Sequence, residues 1–213
     1  MRYPTIVDPD RIEAESFRII EDELGPHEFG PGEFQVARRV IHASADFEFA
    51  RQLRFHPRAV AAGIEALRRG ADVVADVEMV QAGISKAGLA RFGGGVRCFI
   101  SDPDVMAEAK AAGMTRAIMS MRKAAREVQG GIYAIGNAPT ALFELIRLIQ
   151  SGEARPDLVV GVPVGFVSAA ESKEALAGLD WPFITALGRK GGTPAAVAAV
   201  NALLKIAGQA HSL

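Results

Sequence analysis

Short apolar runs alternate with longer stretches of helical periodicity from about residue 71 onward. Five runs are short, rich in branched or aromatic side chains and bounded by glycine or proline, which is typical of buried strands. These runs cover residues 72–77, 96–100, 132–135, 158–162 and 183–187. The stretches of helical spacing cover residues 103–112, 115–129, 139–150, 168–177 and 194–207. The pattern therefore predicts strands and helices in alternation.

Residues 9–24, 32–50 and 57–69 predict three further helices ahead of this region. Alternation of strands and helices favours a mostly parallel sheet covered by helices on both faces. We therefore expect an α/β protein with three layers, α/β/α, around a five-stranded sheet. The chain is long enough for one domain of ordinary size, in which the helical residues 1–70 pack on the α/β core of 71–213.

The connections after the predicted strands are the expected place of a binding site, because ligands of parallel sheets bind beyond the carboxyl ends of the strands. Residues 134–142 and 161–173 each end a strand and open a helix, whose free backbone N–H groups suit a carboxylate or phosphate. Tight turns alone would also explain the glycines and prolines there. The pairs Ser85-Lys86 and Thr115-Arg116 place a hydroxyl beside a cation. Together they are compatible with a ligand that carries several carboxylates.

Composition limits the class of protein. Hydrophobic residues make up 49% of 213 residues and the net charge is −1. This balance gives no global field that would attract nucleic acid or a membrane surface. No apolar run approaches the ~20 residues of a membrane helix, and residues 1–8 are too polar for a signal peptide. We expect a cytoplasmic protein.

Several kinds of chemistry are disfavoured because the sequence lacks the residues or motifs that they require. The single cysteine, Cys98, excludes an internal disulfide and a cysteine-rich metal site, and it lies in a predicted strand as a small buried hydrophobe. The histidines His27, His42, His56 and His211 do not fall at metal-ligand spacings, so no metal is expected. The sequence also lacks Gly-x-x-x-x-Gly-Lys-Ser/Thr, Gly-x-Gly-x-x-Gly and Gly-x-Ser-x-Gly. Nucleotide hydrolysis, hydride transfer and serine hydrolysis are disfavoured.

His42 is the strongest catalytic candidate on spacing. If residues 33–48 form one helix, a core face comprises Val36, Ala37, Val40, Ile41, Ser44 and Phe47. His42 then projects almost opposite that face, with Arg38 and Asp46 four positions away on either side. A histidine among arginines, with a carboxylate to orient it, suits an acid at an anion site. A solvated polar face with ordinary i, i+4 pairs would give the same pattern.

Several stretches, in order along nearly the whole chain, resemble signatures of the precorrin-8X methylmutase family. The most specific are Gly-Asn-Ala-Pro-Thr-Ala-Leu (136–142) and Gly-Val-Pro-Val-Gly-Phe-Val-x-Ala-Ala-Glu-Ser-Lys (161–173). Arg-x-Ile-His-Ala-Ser-Ala-Asp-Phe (39–47) is similar as well. Weaker matches are Glu-Ser-Phe-Arg-Ile-Ile (15–20), Asp-Val-Glu-Met-Val (76–80) and Gly-Arg-Lys-Gly-Gly-Thr (188–193).

The resemblance implies a flavodoxin-like sheet with N-terminal helices, in a homodimer with active sites near the subunit interface. It implies an isomerase of cobalamin biosynthesis that moves a methyl group from C11 to C12 of precorrin-8X, or of its cobalt-containing form. The family's catalytic histidine falls on His42. Its substrate contacts fall on Ser16, Ser85, Lys86, Thr115 and Arg116, to which we add Arg39 and Asn137. Some relatives carry threonine and arginine at Ser85 and Lys86, so the two-pronged grip of an arginine is absent here.

The residues are consistent with that chemistry. A methyl shift within one molecule needs no methyl donor, metal or nucleotide cofactor, but it does need a proton as the π-system reorganises, which histidine can supply near neutrality. Two alternatives stay open. The chain could be a non-catalytic tetrapyrrole carrier, or a flavin- or phosphate-binding module. The sequence does not decide whether the substrate contains cobalt.

Overall fold

The computed structural model describes residues 7–209. The predicted absence of a signal peptide in residues 1–8 and the exclusion of His211 as a metal ligand fall largely or wholly outside this range. Eleven helices occur among the described residues: α1 (Pro9–Leu24), α2 (Pro31–Ser44), α3 (Phe49–Gln52), α4 (Ala59–Arg68), α5 (Glu78–Gly83), α6 (Lys86–Ala90), α7 (Pro103–Ala112), α8 (Arg116–Glu127), α9 (Pro139–Gln150), α10 (Ala169–Ala177) and α11 (Thr193–Ala207). Six strands occur there too: β1 (Leu53–Phe55), β2 (Val73–Ala75), β3 (Val96–Arg97), β4 (Ile132–Ile135), β5 (Leu158–Gly161) and β6 (Phe183–Ala186).

The sheet has the order β1-β6-β5-β4-β2-β3 and is parallel except at one edge. The prediction of an α/β fold with a mostly parallel sheet is confirmed, but the predicted count of five strands is wrong. The sixth strand, β1, comes from the part of the chain expected to be helical and pairs antiparallel with β6, Leu53 opposite Ala186. Three residues carry too little periodicity to indicate a strand, and their partner lies far along the chain.

Helices cover both faces of the sheet. The apolar cluster on one face joins α1, α2, α4 and α11 to the strands, and the cluster on the other face joins α7, α8, α9 and α10. The central strands β2, β4, β5 and β6 are buried throughout, as expected for parallel strands covered on both sides. Helix α11 contacts α2, α4, α5 and α6.

Helix ends follow the capping residues in the sequence. The Asp8 side chain accepts a hydrogen bond from the Arg11 N–H at 2.9 Å, and Pro9 begins α1. Helix α2 ends earlier than predicted, because Ala45 adopts a left-handed conformation with φ of 51°. The connection after β2 begins with the short helix α5. Among residues 7–209, no helix has the length and apolar character needed to cross a membrane.

Candidate functional site

His42 lies in the last turn of α2 with its side chain exposed. Its imidazole meets the Phe17 ring edge-on, with ring centroids 5.3 Å apart and planes at 74°. The guanidinium carbons of Arg38 and Arg39 lie 4.2 and 5.0 Å from the centroid of the same ring. Neither ring nitrogen of His42 forms a hydrogen bond with any residue between 7 and 209. Both nitrogens are therefore open to a ligand.

The carboxylate expected to orient His42 is engaged elsewhere, so that expectation is wrong. Asp46 lies beyond the end of α2, and its Oδ2 is 2.6 Å from Nζ of Lys190. Its Oδ1 accepts the Glu48 N–H at 2.9 Å. The Lys190 ammonium, followed by the Glu48 N–H, holds the pKa of Asp46 below its usual range. The left-handed Ala45 redirects the chain, so the i, i+4 relationship assumed for one continuous helix does not form.

Ser16 and Arg39 lie beside His42, and each already has an intramolecular partner. The Ser16 hydroxyl donates to the carbonyl of Ile12 at 2.8 Å. Arg39 Nη2 lies 2.7 Å from Glu13 Oε1, which is also 2.7 Å from Lys205 Nζ. These bonds, Lys205 first, lower the pKa of Glu13 to about 2. Glu13 therefore balances part of the positive charge near His42.

Ser85 and Thr115 are helix N-caps, so the hydroxyl of each residue has a structural role. Ser85 Oγ accepts the Gly88 N–H at 3.1 Å, and Thr115 Oγ1 accepts the Ile118 N–H at 3.3 Å. The cations that follow them, Lys86 and Arg116, are exposed. Neither forms a salt bridge or hydrogen bond within residues 7–209, so both charges are available to an anionic ligand.

The predicted site residues form three groups that make no direct contact with one another within residues 7–209. Ser16, Arg39 and His42 lie on α1 and α2, whereas the Ser85 N–H donates to Asn201 Oδ1 of α11 at 2.9 Å. Asn201 lies one helical turn before Lys205, which shares Glu13 with Arg39. Thr115 belongs with Asn137 instead, because its hydroxyl lies 3.3 Å from that of Thr140 in the first turn of α9. No contact within the described range, whether hydrogen bond, ion pair or ring contact, joins one group to another.

Asp76 was not singled out by sequence reasoning, although it shapes the Asn137 loop. It is fully buried just after β2, and its carboxylate accepts the N–H groups of Gly136, Asn137 and Ala138 at 3.1, 2.8 and 2.8 Å. Burial raises the pKa of Asp76, and the three backbone donors oppose that rise. The carboxylate thereby fixes the exposed Asn137 at the carboxyl end of β4. A lone aspartate closing an apolar run was the available signal.

Sequence reasoning also did not single out two exposed apolar residues near the carboxyl ends of the strands. Phe166 and Val167, in the connection after β5, are 84% and 82% exposed. Arg189, in the connection after β6, places its guanidinium carbon 5.5 Å from the centroid of the Phe166 ring. An exposed aromatic beside a cation suits a flat ligand that carries carboxylates. The run Gly-Phe-Val (165–167) inside a predicted loop was the signal in the sequence.

A large cavity among the described residues does not contain the predicted site. It measures about 810 Å³ and lies between the α1–α2 connection, α3 and β1, with His27, Phe29 and Phe55 in its wall. A cavity of about 60 Å³ touches the predicted site through Arg39, between α2 and the end of α11. Within residues 7–209, no three His, Cys, Asp or Glu side chains are grouped to hold a metal ion. Cys98 is partly buried just beyond β3.

Comparison with known proteins gives a consistent result. The family model described as precorrin-8X methylmutase matches residues 11–206. The chain is 60% identical to a cobalt-precorrin-8 methylmutase of Priestia megaterium over 94% of this chain and 89% of that one. It is 47% identical to the enzyme of that name from Leptospira interrogans, over 91% of each chain. A crystal structure of precorrin-8X methylmutase from Thermus thermophilus superposes with a TM-score of 0.87 at 44% identity, covering 93% of this chain and 96% of the other. The chain therefore belongs to the precorrin-8X methylmutase family, which are isomerases of cobalamin biosynthesis.

Proposed function

We propose that this isomerase moves a methyl group from C11 to C12 of precorrin-8X or cobalt-precorrin-8, and that His42 donates the proton. The products would be hydrogenobyrinic acid or cobyrinic acid. The observation that carries the assignment is the exposed imidazole of His42, whose two nitrogens have no hydrogen-bond partner among residues 7–209. An acid that must reach a substrate needs this freedom, because a nitrogen bonded within the protein would have to break that bond first.

The substrate's carboxylate arms account for the cations of the site. Lys86 and Arg116 have no ion-pair partner in the described range, so each can bind a carboxylate without losing an existing bond. Arg39 is already shared with Glu13. We propose that Arg39, Ser16, Ser85, Thr115 and Asn137 contribute hydrogen bonds and orientation rather than a free charge. The Ser85 hydroxyl can still donate a proton, because it uses only a lone pair in capping. The Thr115 hydroxyl donates to Thr140 Oγ1 at 3.3 Å, so it would have to exchange that partner for the substrate.

The family resemblance, rather than a contact within this chain, suggests a homodimer with a shared site. A corrin precursor needs contacts on its acid-bearing rim and at its reacting carbon together. A second copy that brings Lys86 or Arg116 toward the partner's His42 would supply both. We propose such a cytoplasmic homodimer, in which the one domain formed by residues 1–213 is the repeating unit.

The chemistry needs no cofactor from the protein. The migrating methyl stays within the substrate, so the bond broken at C11 and the bond formed at C12 balance without a methyl donor. His42 supplies a proton to the reorganising π-system, and the substrate gives up one proton as the product forms, so that substrate and product keep the same composition. Such acid help is typically worth about 10²–10⁴ in rate. The remaining acceleration comes from holding the macrocycle in one orientation.

The cobalt-containing substrate is the better candidate. The two relatives described above, at 60% and 47% identity, both carry the name cobalt-precorrin-8 methylmutase. Within residues 7–209, no three His, Cys, Asp or Glu side chains are grouped to hold a metal ion of the protein's own. In this proposal cobalt enters as part of the substrate.

The test is a visible spectrum recorded over time after the enzyme is mixed with each substrate form. The methyl shift changes the conjugated chromophore, so turnover appears as a colour change. We expect conversion by the wild type, strong loss in His42→Ala, and retained conversion in His27→Ala, a matched exposed histidine stacked on Phe34 at 4.1 Å. Wild-type protein that binds both forms and converts neither would indicate a carrier. Equal conversion by His42→Ala would remove the histidine from the mechanism.

A further inference from the structure

Lys173 is a fully buried lysine outside the proposed site. It lies in α10, and its ammonium has one acceptor among residues 7–209, the carbonyl of Lys190 at 2.5 Å. No carboxylate in this range lies within 4.0 Å of it. Burial lowers the pKa of Lys173 to about 8. A methionine would fill almost the same space without burying a charge, so this lysine is unfavourable for packing alone.

The carbonyl that accepts a hydrogen bond from Lys173 belongs to a glycine-rich turn, whose backbone can adopt many conformations. Lys190 lies between β6 and α11, followed by Gly191 and Gly192 with φ of 159° and 111°. The turn also meets the connection after β5, since the Gly192 N–H donates to the Val162 carbonyl at 2.8 Å. A Cβ at position 191 would lie 2.2 Å from that same carbonyl oxygen, so only glycine fits. A chain with such freedom needs external bonds to keep one conformation.

The side chain of Lys190 continues the connection toward His42. Its ammonium lies 2.6 Å from Asp46 Oδ2 and 2.6 Å from Glu48 Oε2. Asp46 directly follows Ala45, the left-handed residue that ends α2. One continuous set of contacts thus runs from Lys173 through the backbone and side chain of Lys190 to the turn four residues after His42.

We propose that Lys173 is a positioning residue for His42, acting through the Lys190 carbonyl and the Lys190–Asp46 ion pair. The inference rests on the proposed role of His42 as proton donor. Lys173 does not reach the substrate, because its side chain is fully buried. Its effect is to fix the turn on which the carboxyl end of α2 rests. A shift of about 1 Å in a catalytic group can reduce the rate about 100-fold.

The test compares Lys173→Met with Lys110→Met, a lysine exposed on α7. We expect Lys173→Met to melt at or above the wild-type temperature and to lose about 10- to 100-fold in kcat, with KM changed less than about threefold. Lys110→Met should match the wild type. A Lys173→Met protein with wild-type kcat, or with a lowered melting temperature as its only change, overturns the proposal.

Two further variants keep the outcome decisive. Lys190→Met removes only the ion pair with Asp46 and Glu48, so it tests the proposal even if Lys173→Met fails to fold. It should lower kcat in the same way. A wild-type kcat in Lys190→Met overturns the proposal. The double variant should lose no more than the worse single variant, because both act through one connection. His42→Ala separates the two proposals. If it is inactive while Lys173→Met is fully active, only the positioning role fails, whereas an active His42→Ala defeats both.

Discussion

Nζ of Lys190 lies 2.6 Å from Oδ2 of Asp46, joining the turn before α11 to the turn after α2. Asp46 therefore stabilises the carboxyl end of α2 rather than orienting the imidazole of His42 directly. Within residues 7–209, the ring contact of His42 is with Phe17. This arrangement distinguishes the enzyme from a catalytic triad, in which a carboxylate hydrogen-bonds the histidine.

Asp46→Asn should therefore retain most of the activity. Lys190 keeps its second carboxylate, Glu48, at 2.6 Å, so the turn loses one of two ion pairs. We expect a loss of less than about tenfold in kcat, against the roughly 10⁴-fold loss seen when a directly orienting carboxylate is replaced by an amide. Steady-state kinetics with the converted substrate measure this. A loss as large as that of His42→Ala would restore Asp46 to a direct role.

Removing the free cations should weaken substrate binding without affecting the fold. Lys86→Met and Arg116→Met should each raise KM about tenfold, because each loses a charge-assisted contact to a carboxylate. Added salt should then change KM less than in the wild type, since exposed charges are screened. Arg155→Met, at an exposed arginine near the other end of the sheet, serves as control. Unchanged KM in both variants would place the substrate elsewhere.

Phe166→Ala should weaken binding of the flat macrocycle. The side chain is 84% exposed, so its removal should leave the melting temperature unchanged, while loss of an aromatic contact should raise the Kd about tenfold. Phe143→Ala, at an exposed phenylalanine of α9, is the matched control. Fluorescence quenching by the substrate would report Kd, and light scattering would report mass. A change in mass without a change in Kd would assign Phe166 to a subunit contact instead.

Asp76→Asn should destabilise the protein and disturb the Asn137 loop. The replacement loses the charge that three backbone N–H groups share, and it turns an amide donor toward one or more of them. A loss of about 2–4 kcal/mol in the free energy of unfolding is expected, together with a raised KM. Urea denaturation followed by circular dichroism measures the first quantity. A stability equal to the wild type would mean that the loop does not depend on this carboxylate.

Glu13 should contribute stability that depends on pH. Because its pKa falls from 4.5 to about 2 in the folded state, its contribution is fully present above about pH 4.5 and is lost as the pH falls toward 2. Its side chain is 34% exposed, so screening limits the contribution to about 1 kcal/mol. Urea denaturation at pH 7 and pH 3 should show Glu13→Gln approaching the wild type at the lower pH.

Glu65→Gln is the control, at an exposed glutamate of α4 whose side chain forms no ion pair in the described range. It should show no such convergence. A constant difference between Glu13→Gln and wild type across this pH range would show that Glu13 acts by packing rather than by charge.

The sequence alone determined the alternation of strands and helices, the exposed face of α2 that carries His42, and the family signatures. These features are local, because periodicity reports which residues are buried within each element and motifs report residues that are adjacent in the chain. His42 and Asn137 were chosen as candidates from such local features.

Only the tertiary structure decided which distant residues meet. The pairing of β1 with β6, the ion pair of Asp46 with Lys190 and the burial of Lys173 join segments that no local pattern connects. A short strand is stabilised by pairing with its neighbour in the sheet. The partner of a charged side chain depends on which groups the fold brings close to it. The spacing in the sequence predicted that Asp46 would orient His42. In the structure, the left-handed turn at Ala45 places the Asp46 carboxylate next to Lys190 instead.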